Sequence, residues 1–147
     1  MERPKKESLI DHLVQRIIGS DDFNFTYYLK ECLMRLPEAD LKAVAYDKDI
    51  YILKTTANTV LGLDPLLYTK TGKGDKVLVV FVTNFSKCPA HQIMYIIAHE
   101  FAHVLLGHYT KGVFMGPASE TEADEQLTKW GFEEELKRDK LEFPHLT

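Results

Sequence analysis

The chain has 147 residues, of which 45% are hydrophobic and 27% charged, with a net charge of −4; this suits one domain, 1–147, with a core of its own. Its apolar runs are broken by polar residues and fall short of the ~20 needed to span a bilayer, and no apolar region of signal-peptide length follows Met1-Glu2-Arg3-Pro4-Lys5-Lys6-Glu7. A soluble cytoplasmic protein with no membrane partner is expected. The basic groups Arg3-Lys5-Lys6 and Lys70-Lys73-Lys76 read as a solvated tail and loop tip, so no nucleic-acid partner is expected either.

In chain order, Ser8 to Ile18 carries Leu9, Ile10, Leu13, Ile17 and Ile18 at amphipathic-helix spacing, and Gly19-Ser20-Asp21-Asp22 breaks the run. Phe23 to Leu36 predicts a second helix, with Phe25, Tyr28, Leu29, Cys32 and Leu33 inward; Tyr27-Tyr28 reads as core packing with polar tips. Cys32 reads as a buried thiol, and with Cys88 it makes no disulfide framework.

Between Lys42 and Lys54, two apolar runs, Ala43-Tyr46 and Ile50-Leu53, flank Asp47-Lys48-Asp49. The favoured expectation is a β-hairpin; a helix through Ala39 to Ala45 competes with it. Thr71-Gly72-Lys73-Gly74-Asp75 is a turn signal without the spacing of a phosphate loop. Lys76 to Thr83, rich in β-branched residues, is the clearest strand.

Pro89 then opens an apolar helical stretch that ends at Gly107 and contains His99-Glu100-Phe101-Ala102-His103, an HExxH pattern. At about 100° per residue, positions four apart lie only about 40° apart on one face, so His99 and His103 can take adjacent corners of a zinc tetrahedron. Glu100, offset by about 100°, can flank the open position as a general base without being a ligand. Ile93, Ile97, Phe101, Val104 and Leu105 fall on the opposite side and should face the core. The plainer alternative is a chance pair of histidines on a core helix.

Ser119 to about Arg138 predicts a further helix. Ser119 and Glu122 have capping-box spacing, which makes Ser119 the expected N-cap and Glu122 its reciprocal partner. Glu120 and Asp124 share a face, with Glu122 turned about 200° from Glu120. Glu120 is the expected third zinc ligand, although a first-turn carboxylate is also what the helix dipole favours. Asp124 is expected to hold a ligand imidazole through its other N–H.

HExxH followed by Glu120-Thr121-Glu122-Ala123-Asp124, an ExxAD pattern, resembles the gluzincin zinc metallopeptidases, over Pro89 to Glu135. Related patterns occur in ImmA/IrrE-type proteins and minigluzincins; the chain departs from the former after Asp124, reading Glu125-Gln126-Leu127-Thr128-Lys129-Trp130. The resemblance implies a His-His-Glu site from His99, His103 and Glu120. It also implies an edge strand, preceding the active-site helix, along which extended substrate can pair. A metzincin fits worse, because Leu106 and Tyr109 stand where that class needs Gly and His.

These readings converge on an α+β, zincin-like domain with helices on a small, mainly antiparallel sheet. The expected reaction is hydrolysis of a peptide bond in a protein or peptide by a metal-activated water, with Zn2+ on His99, His103 and Glu120 and Glu100 as base. The alternative is a zinc-binding regulatory or interaction module with little turnover, its fourth position closed by Cys88 or His145. A helical protein without metal is a third possibility. His108 is expected at the helix end near terminal carbonyls, unless a break at Gly107 lets it, or Tyr109, swing towards the cleft.

Overall fold

The computed structural model describes residues 2–20, 24–47, 49–54, 76–81, 85–108 and 117–142. In chain order these form helix α1 (Glu2–Val14), strand β1 (Ile17–Ser20), and helices α2 (Phe25–Met34) and α3 (Glu38–Lys42). A π-helical turn (Ala43–Asp47), strands β2 (Asp49–Lys54) and β3 (Lys76–Phe81) and a 3-10 turn (Phe85–Lys87) follow. Helices α4 (Ala90–Leu105), α5 (Pro117–Lys129) and α6 (Glu133–Glu142) complete the described chain. The architecture is α+β in this coarse sense, and no described helix is long and apolar enough to cross a membrane.

The sheet corrects the antiparallel expectation. Its order is β1-β2-β3 and both pairings are parallel, with Ile17 opposite Ile52 and Val79 also opposite Ile52. The expected hairpin would have supplied antiparallel pairing, but Ala43–Asp47 continues α3 as a π turn instead of forming a strand. Val44 and Ala45 are thereby buried in the helical layer. With that strand gone, β2 is reached from β1 through α2 and α3, and a crossover of this length is what parallel pairing requires.

Ile17 and Ile18 leave the first helix as well. α1 stops at Val14, and the β-branched pair begins β1, where χ1 stiffness is better tolerated. Arg16 secures this edge. Its Nε donates to the Ile50 carbonyl at 3.1 Å, its guanidinium pairs with Asp49, and the same group lies 4.2 Å from the Tyr51 ring centroid.

Helix α4 is the centre of the molecule, packed against α2, α5 and α6. Ile93, Ile97, Phe101 and Val104 are buried as their spacing predicts, with Leu105 half-buried. The ring of Phe101 stands 6.5 Å from that of Phe81, which stands 5.4 Å from that of Phe25, so a row of mutually tilted rings joins α4 to β3 and α2. Each such ring contributes roughly 1.5–3 kcal/mol by leaving water. On α2, Cys32 is a buried thiol raised above its ordinary range chiefly by desolvation, as expected. Tyr27 departs from the core expectation. It is exposed and meets Tyr28 edge-on at 5.2 Å.

Candidate metal centre

Helices α4 and α5 end in the same way. Gly107 (φ 76°) and Gly131 (φ 90°) take the left-handed conformation that closes a helix. After α4, the N–H of His108 donates to the His103 carbonyl at 3.0 Å and that of Gly107 to the Val104 carbonyl at 3.1 Å. After α5, Phe132 and Gly131 donate in the same pattern to Leu127 and Thr128. Both are Schellman motifs, which satisfy carbonyls the helix leaves without partners and fold the following residue back over the last turn.

Helix α5 begins at Pro117, not after Ser119. The expected capping box is therefore not the start of the helix: Ser119 is buried within the first turn, and proline suits a first helical position because it lacks the N–H that would go unpaired. The fully buried Ala123 and Leu127 seat α5 in the core. Glu120 and Asp124, one turn apart, then meet the His99–His103 face of α4 as their spacing predicts.

Three candidate ligand side chains meet there. Glu120 Oε2 lies 2.9 Å from His99 Nε2, Glu120 Oε1 lies 3.0 Å from His103 Nε2, and the two Nε2 atoms are 3.1 Å apart. Donors of a tetrahedral zinc ion at ~2.0–2.1 Å stand about 3.3–3.4 Å apart, so the group needs only a few tenths of an ångström of opening to accept one. Among the described residues, His99, His103 and Glu120 form the group able to hold a metal ion.

The outer contacts of the histidines sharpen this fit. His99 Nδ1 lies 3.1 Å from Asp124 Oδ1, a carboxylate that can only accept when ionised. A neutral His99 therefore carries its proton on Nδ1 and turns the Nε2 lone pair towards Glu120. Two lone pairs at 2.9 Å repel unless a proton or a cation lies between them. The surroundings of His99 press in the same direction. Burial lowers its pKa, but the bond to Asp124 and the charges of Glu100, Glu120 and Asp124 outweigh burial and raise it above its ordinary value. His103 goes the other way, pulled down by burial and by the neighbouring His99.

His103 has a second neighbour. Its Nδ1 lies 2.8 Å from His108 Nδ1, and His108 Nε2 lies 2.9 Å from Glu122 Oε1. His108 is thus brought back over the last turn of α4, where Glu122 meets it. Tyr95, one turn before His99, donates its hydroxyl to Asp124 Oδ1 at 3.1 Å, and burial with the Asp124 charge raises its pKa. Sequence reasoning missed Tyr95 altogether, though its four-residue offset from His99 was a signal.

Glu100 is half-buried beside His99, where its charge raises that imidazole's pKa. Cys88 is not part of the cluster: it precedes α4, whose rise from Ala90 to His99 is about 14 Å. It lines a cavity of about 210 Å³ with Tyr28, Phe85 and Ile93. Tyr109 and His145 lie outside the described residues. No known protein family matches the chain, and no curated protein or solved structure is significantly similar to it.

Proposed function

We propose that this chain is a zinc-dependent hydrolase of peptide bonds, of gluzincin type, acting on a protein or peptide substrate. The observation that carries the reading is the clustering of His99 Nε2, His103 Nε2 and the Glu120 carboxylate, with contacts of 2.9 to 3.1 Å among them. His99, His103 and Glu120 would hold the metal. Zinc, when bound, supplies Lewis acidity towards the scissile carbonyl and acidifies water at its open position.

The chain's own residues would do the rest. Glu100 takes the proton of the attacking water and returns it to the leaving amine. Asp124 keeps the His99 proton on Nδ1, so that Nε2 stays a ligand atom. Strand β3, which precedes α4 and ends the strand order among the described strands, offers the edge for an extended substrate. The resemblance to gluzincins is one of sequence motif, and the gluzincin-type site and zincin-like architecture are parts of the proposal.

The main competitor is a regulatory zinc-binding module. Against it, the Glu120 side chain is 52% exposed and, among the described residues, no fourth His, Cys, Asp or Glu joins the group, whereas structural zinc sites are closed by four protein ligands. Zinc stoichiometry of protein purified without added metal, beside Glu120→Ala, tests the reading. About one zinc per chain, lost in the variant, is expected; a parent that takes up no zinc after reconstitution would sink it.

A further inference from the structure

We propose that His108 and Glu122 are positioning residues for the metal ligand His103: a relay that fixes its tautomer and aims Nε2 into the site. The inference rests on the metal-site reading above and extends it to residues outside the ligand triad.

The proton inventory of the relay admits one arrangement that serves a metal. Glu122 Oε1, 2.9 Å from His108 Nε2, accepts when ionised, so His108 carries its proton on Nε2 and leaves Nδ1 as an acceptor. His103 Nδ1, 2.8 Å from that acceptor, must then be the donor. A neutral His103 with its proton on Nδ1 has its lone pair on Nε2, the atom that faces Glu120 and His99. Each link requires the next, and the chain of donors runs outward from the site to a carboxylate in solvent. Outer partners of this kind orient ligand imidazoles and raise their basicity.

The backbone builds the relay. In a Schellman motif, the residue after the left-handed glycine commonly touches the side chain four residues before that glycine. In α5 those two positions hold Phe132 and Leu127, both buried. In α4 they hold His108 and His103, also both buried, so a place ordinarily used for apolar contact carries a hydrogen bond instead. Helix α5 then serves both histidine ligands. Asp124 holds His99 directly, and Glu122, turned about 200° from Glu120 on the wheel, reaches His103 through His108.

The test is zinc affinity by chelator competition on the full chain, with His108→Ala, His108→Gln, Glu122→Ala and Glu120→Ala. His108→Ala should weaken zinc roughly ten- to hundredfold. His108→Gln, which can accept from His103 and donate to Glu122, should recover most of the loss, and Glu122→Ala should cost less than His108→Ala. Zinc binding that needs Glu120 but is unchanged in His108→Ala overturns the relay and leaves the metal site standing. Zinc binding with the expected losses but no peptide hydrolysis overturns the hydrolase and leaves the relay standing. Should His108→Ala not fold, long-range imidazole 15N spectra of the zinc-loaded parent decide. Protons on His103 Nδ1 and His108 Nε2 support the relay, and a proton on His108 Nδ1 overturns it.

Discussion

Asp124 Oδ1 lies 3.1 Å from His99 Nδ1, and the same oxygen accepts the hydroxyl of Tyr95 at 3.1 Å. One carboxylate atom therefore ties together two residues a helical turn apart on α4 and fixes α5 against them. Removing Asp124 should act first on the metal: Asp124→Ala is expected to weaken zinc binding roughly ten- to hundredfold. Tyr95→Phe removes one donor to a charged acceptor while Asp124 keeps the imidazole, so it should lower stability by about 1–3 kcal/mol and disturb zinc less. Chelator competition and thermal melts on both variants check this; equal zinc affinity in Asp124→Ala and parent would show that His99 needs no such holder.

The candidate metal ligands were legible because helical spacing is a local rule. His99 and His103, and separately Glu120 and Asp124, share faces whatever the rest of the chain does, and both pairs are where the spacing puts them. His108 was harder, since its placement depends on whether the helix continues through Gly107. The signal was present as a glycine flanked by His103 and His108 at the two positions a Schellman motif brings together, but a helical wheel does not express it. The hairpin expectation failed for a related reason: Ala43-Val44-Ala45-Tyr46 is apolar enough for either structure, and its contacts with the helical layer decided in favour of the turn. Strand direction follows connection paths, which residue patterns alone do not encode.

Gly107 holds the turn that carries His108, at φ 76°. Gly107→Ala places a Cβ in the left-handed region and should cost about 1–2 kcal/mol, lowering Tm by about 2–8 °C in a domain of this size. Gly107→Asn should cost less, because Asn tolerates that conformation. If the turn serves the metal as well as the fold, Gly107→Ala should also bind zinc more weakly than Gly107→Asn. Melting curves with and without zinc separate the two effects, and identical zinc affinities would uncouple the turn from the site.

Acidity should act on the zinc-free protein in two opposed directions about pH 6.5, the ordinary histidine value. Burial lowers the pKa of His99, but Asp124, Glu100 and Glu120 outweigh it, so the folded chain holds that proton above pH 6.5. This contribution is complete below pH 6.5 and is lost as pH rises through the folded pKa. Burial, His99 and His108 pull His103 down to about 4, against the charge of Glu120. Between pH 6.5 and 4 the unfolded chain therefore takes up a proton that folded His103 refuses, and stability falls with falling pH. The zinc-free melting temperature should decline on the acid side more steeply in the parent than in His103→Gln. Zinc requires neutral imidazoles, so its affinity should rise with pH until His99 is deprotonated, with proton release that calorimetry in buffers of different ionisation enthalpy can count. Affinity that is flat from pH 6 to 8 would contradict the raised His99.

Glu100 and Glu120 make the most informative pair of substitutions, because the proposed roles separate binding from chemistry. Glu120 bridges both Nε2 atoms, so Glu120→Gln replaces a charged ligand by a neutral one and should release the metal. Glu100 is beside His99 without joining the ligand group, so Glu100→Gln should leave about one zinc per chain bound. It should also abolish peptide hydrolysis, since an amide cannot take the proton of the attacking water; loss of a general base costs at least 10²–10⁴-fold. The substitution has a further use. A zinc-loaded Glu100→Gln protein would hold its substrate uncut, so peptides that stay with it and are cleaved by the parent identify what the site recognises. Hydrolysis that survives Glu100→Gln would assign the base elsewhere, and loss of zinc in that variant would place Glu100 among the ligands.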